Sequence, residues 1–200
     1  MNKVPIILIY SRLLLGILIV FLSLQYGIYI RPAIVILITI GLLTDIFDGI
    51  VARRLNVSTE KHRRLDSGID QAFWIMVIVA AFVLSPAFFV HNYIKILLIA
   101  GLELFAYLLS FIKFRKEVAT HAILSKIWVL VLFATLVQVI VEGNATTLFM
   151  ICFYLGVITR FEIILILLII RKWTNDVPSI YHAFQLRKGK DIHRNKWMNG

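Results

Sequence analysis

Apolar residues along this chain gather into six long runs, each set off by a short polar or charged stretch, over residues 6–24, 33–54, 67–89, 93–111, 124–141 and 148–170. A helix rises 1.5 Å per residue, so about 20 apolar residues bridge a hydrocarbon core about 30 Å thick. Each run is long enough for one crossing. The pattern predicts an all-α fold, an integral membrane bundle of six transmembrane helices over residues 1–172, followed by a basic tail over 173–200. Within the tail, residues 174–186 read as a short interfacial helix and 187–200 as a mobile end. The first run has a single preceding Lys3 and no small-residue cleavage pattern, so it reads as a retained span and not as a removed signal peptide. No internal repeat and no soluble domain is visible.

Composition supports the membrane assignment. With 60% hydrophobic residues in 200 and a mean hydropathy of +0.91, the chain is too apolar for one soluble domain. Charge orients it. If the N-terminus is cytoplasmic, the inner segments carry Lys3, Arg53, Arg54, Lys61, Arg63, Arg64, Lys113, Arg115, Lys116 and the basic residues of the tail, and the outer ones only Arg31 and Lys95. That asymmetry predicts both termini in the cytoplasm. An anionic leaflet and an anionic substrate account for the net charge of +10, so no nucleic acid is needed as a partner. Cys152 is alone and inside an apolar run, which excludes a disulfide framework within the chain.

The chemistry concentrates between residues 44 and 70, TDIFDGIVARRLNVSTEKHRRLDSGID, which hold five of the eleven acidic residues. Asp45, Asp48, Asp66 and Asp70 border two apolar runs, where each carboxylate costs roughly 2.5–3.5 kcal/mol to insert. Asp45 and Asp48 are three apart, Asp66 and Asp70 four apart, so on helices each pair projects from one face. Asn56, Ser58 and Thr59 supply turn and capping residues between them. If the chain doubles back there, the two acidic faces meet. Four hard oxygen donors suit Mg²⁺ or Mn²⁺, and two such ions match the charge of four carboxylates. The alternative is a solvated acidic patch at a helix end.

This stretch resembles the signature of the CDP-alcohol phosphotransferases, D-x2-D-G-x2-A-R-x8-G-x3-D-x3-D. Asp45, Asp48, Gly49, Ala52, Arg53, Asp66 and Asp70 match it, and His62 stands in place of the second glycine. The resemblance implies transfer of a phosphatidyl-type group from a CDP-linked lipid donor, such as CDP-diacylglycerol, to the hydroxyl of a small polar acceptor, with release of CMP. It implies Asp45, Asp48 and Asp66 as metal ligands, and Asp70 as general base, able to ligate as well. Gly49, Ala52 and Arg53 would line the nucleotide site, although small residues one turn apart also serve close helix packing. His62 either crowds the nucleotide or points into solvent. A homodimer, and a bacterial inner (plasma) membrane with the site facing the cytoplasm, complete the expectation.

Further basic residues are candidates for binding the acceptor or a phosphate. Arg12 lies inside the first run, and either snorkels to the interface or faces inward to hold phosphate. Arg63, Arg64 and Arg115 are phosphate clamps or topology determinants. Lys126 sits where glycerol-3-phosphate-using relatives often carry a lysine, and could equally snorkel. Thr44 and Lys126 favour glycerol 3-phosphate as acceptor, Leu65-Asp66-Ser67 favours serine, and inositol or its phosphate remains open. Glu103 is too deep to stand alone, and Arg160 and Glu162 are two apart and cannot face each other, so Glu103 is a candidate partner for Arg160. A divalent-cation or proton-coupled transporter would also place carboxylates in a membrane, but with acids spread through its depth. An inactive family member with a structural role is a further alternative, which retention of all four aspartates opposes.

Overall fold

The computed structural model describes residues 4–54, 60–116, 118, 122–174, 176–190 and 192, with side chains at 4–5, 48–54 and 60–64 left out. Every regular element among the described residues is a helix: α1 (Val4–Tyr26), α2 (Arg31–Arg54), α3 (Glu60–Leu84), α4 (Pro86–Phe114), α5 (Ile123–Glu142), α6 (Thr146–Ile169) and α7 (Ile180–Arg187). A short 3₁₀ turn, Gly27–Ile30, joins α1 to α2, and Gly27 takes φ +54° there, a backbone region that glycine enters without steric cost. By length and apolarity alone, α1 and α2 form one stretch, Ile6–Phe47, and α3 to α6 one each.

The distribution of side chains is that of a membrane protein. Leu14, Ile94, Leu97 and Ile112 are between 65 and 76% exposed, while Arg12, Ser23, Thr159 and Arg160 are buried. A soluble fold would invert that arrangement, whereas hydrocarbon around the helices accommodates it.

The third run does not reach residue 89. α3 stops at Leu84, where Ser85 N–H still reaches the Ala81 carbonyl at 2.9 Å. Pro86 has no N–H to extend the ladder and instead begins α4 at its first position, so residues 86–92, His91 included, are helical. The fourth run therefore starts at Pro86. Of the tail stretch 174–186 only the part from Ile180 is helical, as α7 (Ile180–Arg187); the described residues before it are not.

The chain divides into two compact units, Met1–His91 with Leu136–Ala145, and Asn92–Thr135 with Thr146–Gly200. In the first, α1 packs against α2 and α3. Its buried stripe is Ile9, Arg12, Gly16, Ile19 and Ser23, spaced three and four apart as one helical face requires. Opposite it lie Ile34, Ile38, Gly41 and Leu42 of α2, and Phe73, Val77, Ala80 and Ala81 of α3. Two glycines set how closely these helices approach. A Cβ on Gly16 would come within 2.3 Å of Met76 Cε, and one on Gly41 within 2.2 Å of Phe73 Cζ. Met76 can bend away, but the Phe73 ring is rigid and only 2% exposed. Gly41→Val is therefore expected to destabilise the protein by about 1–3 kcal/mol through overpacking, read as a lower midpoint of unfolding in detergent, with Gly101→Val, where a Cβ meets nothing within 4 Å, as the neutral control.

The second unit holds most of α4 and α5 with α6 and α7. Ala122, Ile166, Ile170, Val177 and Ala183 form one of its buried clusters, which seats α7 on α6. Lys113 Nζ donates to the carbonyls of Leu167 at 2.7 Å and Leu168 at 2.9 Å, covering acceptors that the end of α6 leaves open. Arg160 Nε donates to Glu103 Oε2 at 2.8 Å, the pair expected from sequence, and its guanidinium lies 3.6 Å over the Trp128 ring. Trp128 Nε1 in turn donates to the Cys152 carbonyl at 3.0 Å.

Candidate active site

The inward stripes of α2 and α3 end in charge. On α2 the series Ile34, Ile38, Leu42 arrives at Asp45; on α3 the series Val77, Phe73 arrives at Asp70 and then Asp66. The same spacing that buries the apolar residues thus turns the carboxylates inward. One ligand atom each from Asp45, Asp66 and Asp70 lie within 4.8 Å of one another. Two helix ends separated in sequence by residues 55–59 therefore present their acids to a common point, the juxtaposition that the spacing predicts. At the other end of the unit, roughly 21 Å away at 1.5 Å per residue along α2, Arg31 ties the helix ends together. Its Nη2 donates to the Leu84 carbonyl at 2.9 Å.

Arg12 completes the cluster. Its side chain is 1% exposed, against 37% for Asp45 and 29% each for Asp66 and Asp70, so the guanidinium lies beneath three carboxylates that keep an open side. Nη1 donates to Asp45 Oδ1 at 2.7 Å and pairs with Asp70 Oδ1, while Nη2 donates to Asp66 Oδ1. Of the two sequence-level options for Arg12, snorkelling is excluded: the side chain points into the unit. Its carboxylate partners were missed. The signal that would have revealed them is its register, since Arg12 falls on the Ile9, Gly16, Ile19 stripe and so had to meet whatever faces that stripe.

The remaining candidates are distributed as follows. Asp48, Gly49, Ala52 and Arg53 belong to α2, and His62, Arg63 and Arg64 to α3, with side chains outside the described residues. Arg115 and Lys126 are exposed residues of the second unit, one just past the end of α4 and the other in the first turn of α5. Arg115 adopts φ +56° as its N–H closes on the Phe111 carbonyl at 2.9 Å, which ends α4 sharply.

The donor set fits a hard divalent cation. Three carboxylates supply oxygen only and converge from two helices, and among the described residues the Arg12 guanidinium pairs with all three. The three carboxylates could together hold a metal ion. The family model for CDP-alcohol phosphatidyltransferases matches residues 2–177, and the chain belongs to that family, whose members transfer a phospho-alcohol from a CDP-alcohol. No curated protein and no solved structure matches the chain.

Proposed function

We propose that this protein transfers a phosphatidyl-type group from CDP-diacylglycerol to the hydroxyl of glycerol 3-phosphate, releasing CMP. The observation that carries the reading is the meeting of Asp45, Asp66 and Asp70 from α2 and α3 within 4.8 Å. The acceptor oxygen attacks the phosphorus that bears the lipid. The bond from that phosphorus to the bridging oxygen breaks, and CMP departs with the electron pair. Asp70 takes the hydroxyl proton, its usefulness coming from position.

Asp45, Asp48 and Asp66, with Asp70 able to share, would hold two Mg²⁺ or Mn²⁺ ions, which when bound offset the charge of the diphosphate and polarise the phosphoryl group. Gly49, Ala52 and Arg53 would accept the nucleotide with His62 beside it, and Arg63, Arg64, Arg115 and Lys126 would serve the acceptor's phosphate. Arg12 could join them only once parted from its carboxylates. The six long helices read as six spans in a bacterial inner membrane. Both termini and the site would face the cytoplasm, where the acceptor is dissolved, and the protein would act as a homodimer. The lipid donor reaches the site from the bilayer.

The test is a panel of acceptors offered to purified protein with CDP-diacylglycerol and Mn²⁺ while CMP is followed. CMP release with glycerol 3-phosphate, abolished by EDTA, is expected. Release with serine or inositol instead would replace the acceptor and keep the class, whereas no release with any acceptor would overturn the reading.

A further inference from the structure

A guanidinium carried on an apolar helix needs compensation. Arg12 finds it in an oxygen from each of Asp45, Asp66 and Asp70. The stripe on which it sits is otherwise Ile9, Gly16, Ile19 and Ser23, with no acid among them. Its counter-charges therefore come wholly from the helices across the interface, and they are the carboxylates that Mg²⁺ or Mn²⁺ would need. The converse also holds. Three carboxylates whose oxygens lie within 4.8 Å repel one another, and a cation among them offsets that repulsion. A ligated divalent ion requires those oxygens at about 2.0–2.1 Å for Mg²⁺. A guanidinium at hydrogen-bond distance takes up lone pairs of the same carboxylates, and its positive charge repels a second cation placed among them.

We infer that Arg12 is a built-in counter-ion that exchanges with the divalent metal: it ties the three carboxylates together in the metal-free protein and yields them when the ion enters. The inference rests on the reading of the triad as a divalent-cation site. Its physical content is competition. One residue holds α2 and α3 in register with α1 when no metal is present, and for the same reason it weakens metal binding. Charge gives the exchange its direction. A divalent ion brings twice the charge of a guanidinium to the same carboxylates, so it is drawn to them more strongly and repels the guanidinium once it arrives.

The test measures metal binding without substrate. Purified wild type and Arg12→Gln are titrated with Mn²⁺, free ion being read by electron paramagnetic resonance, and both are melted in EDTA and in saturating Mn²⁺. Arg12→Gln is expected to bind Mn²⁺ at least tenfold more tightly than wild type, to melt lower in EDTA, and to gain more from Mn²⁺ than wild type gains. Arg12→Lys, which keeps the charge and loses the fork, should fall between. An affinity for Mn²⁺ in Arg12→Gln that is equal to or weaker than wild type would overturn the exchange, because a residue that merely orients the ligands would weaken binding when removed.

If Arg12→Gln does not fold, the wild type itself carries the test: in ¹⁵N-arginine-labelled protein titrated with Mg²⁺, the Arg12 Nε–Hε resonance should shift in step with metal occupancy, and a resonance that stays still would overturn the inference. Its failure is separable from that of the proposed reaction. Tighter Mn²⁺ binding in Arg12→Gln by a protein that releases no CMP would sink the reaction alone. Binding by wild type that Arg12→Gln does not tighten would sink the exchange alone. No Mn²⁺ binding by either would sink the metal site and the exchange with it.

Discussion

Asp70→Asn is expected to lower the rate of CMP release by about 10²- to 10⁴-fold, the contribution usual for a positioned general base. The substitution keeps the size of the side chain and its place on α3, one turn from Asp66 and one turn before Phe73. It removes the proton acceptor and one of the negative charges around Arg12. The fold should survive, since the guanidinium keeps Asp45, at 2.7 Å, and Asp66. Mn²⁺ affinity should fall less than it does in Asp66→Asn if Asp70 acts mainly on the proton. Undiminished CMP release by Asp70→Asn would remove Asp70 as base, and leave its carboxylate only the part of a counter-charge to Arg12.

Glu103→Leu is expected to cost about 3 kcal/mol of stability, at the lower end of what breaking a buried ion pair costs, because Glu103 keeps 32% of its side chain exposed. The cost comes from what is left behind. Arg160 is 8% exposed and would keep the Trp128 ring but no carboxylate within reach of its Nε. The pair belongs to the second unit and the acidic centre to the first, so the effect should appear in unfolding while the Mn²⁺ affinity of the protein that remains folded is unchanged. Glu103→Leu with Arg160→Leu should recover most of the loss, since two apolar residues in hydrocarbon leave no charge to compensate. A single variant that melts with the wild type would show that water or lipid headgroups already solvate Arg160.

The long helices were legible because hydrocarbon admits little else: about 20 apolar residues without a satisfied backbone are not tolerated there, and a helix satisfies its own. The acidic centre was legible for a related reason. Carboxylates at the borders of apolar runs are too expensive to be incidental, and a spacing of four sets Asp66 and Asp70 on the face that the structure turns toward Asp45. The partnership of Glu103 with Arg160 followed by elimination, since Glu162 cannot reach Arg160 on the same helix.

What stayed hidden was rotation. In α1, nearly every residue is apolar, so hydrophobic periodicity does not distinguish the lipid-facing side from the buried one. Arg12 could be read as snorkelling until the stripe through Ile9, Gly16 and Ile19 was seen. The third run, although Ser85-Pro86 marks its end in the sequence, was carried on to residue 89 for a different reason. Hydropathy continues unbroken through Ser85 and Pro86 to residue 89, and only the missing N–H of Pro86 ends the helix. Hydropathy counts apolar surface, and it does not count hydrogen bonds.

The measurement closest to the heart of this account is the anomalous scattering of Mn²⁺ in crystals of the protein soaked with the ion. Peaks coordinated jointly by Asp45 of α2 and by Asp66 or Asp70 of α3, with the Arg12 guanidinium withdrawn from those oxygens, are the expected result. Manganese bound by the acids of one helix only, or found elsewhere in the molecule while Arg12 still holds all three carboxylates, would contradict it.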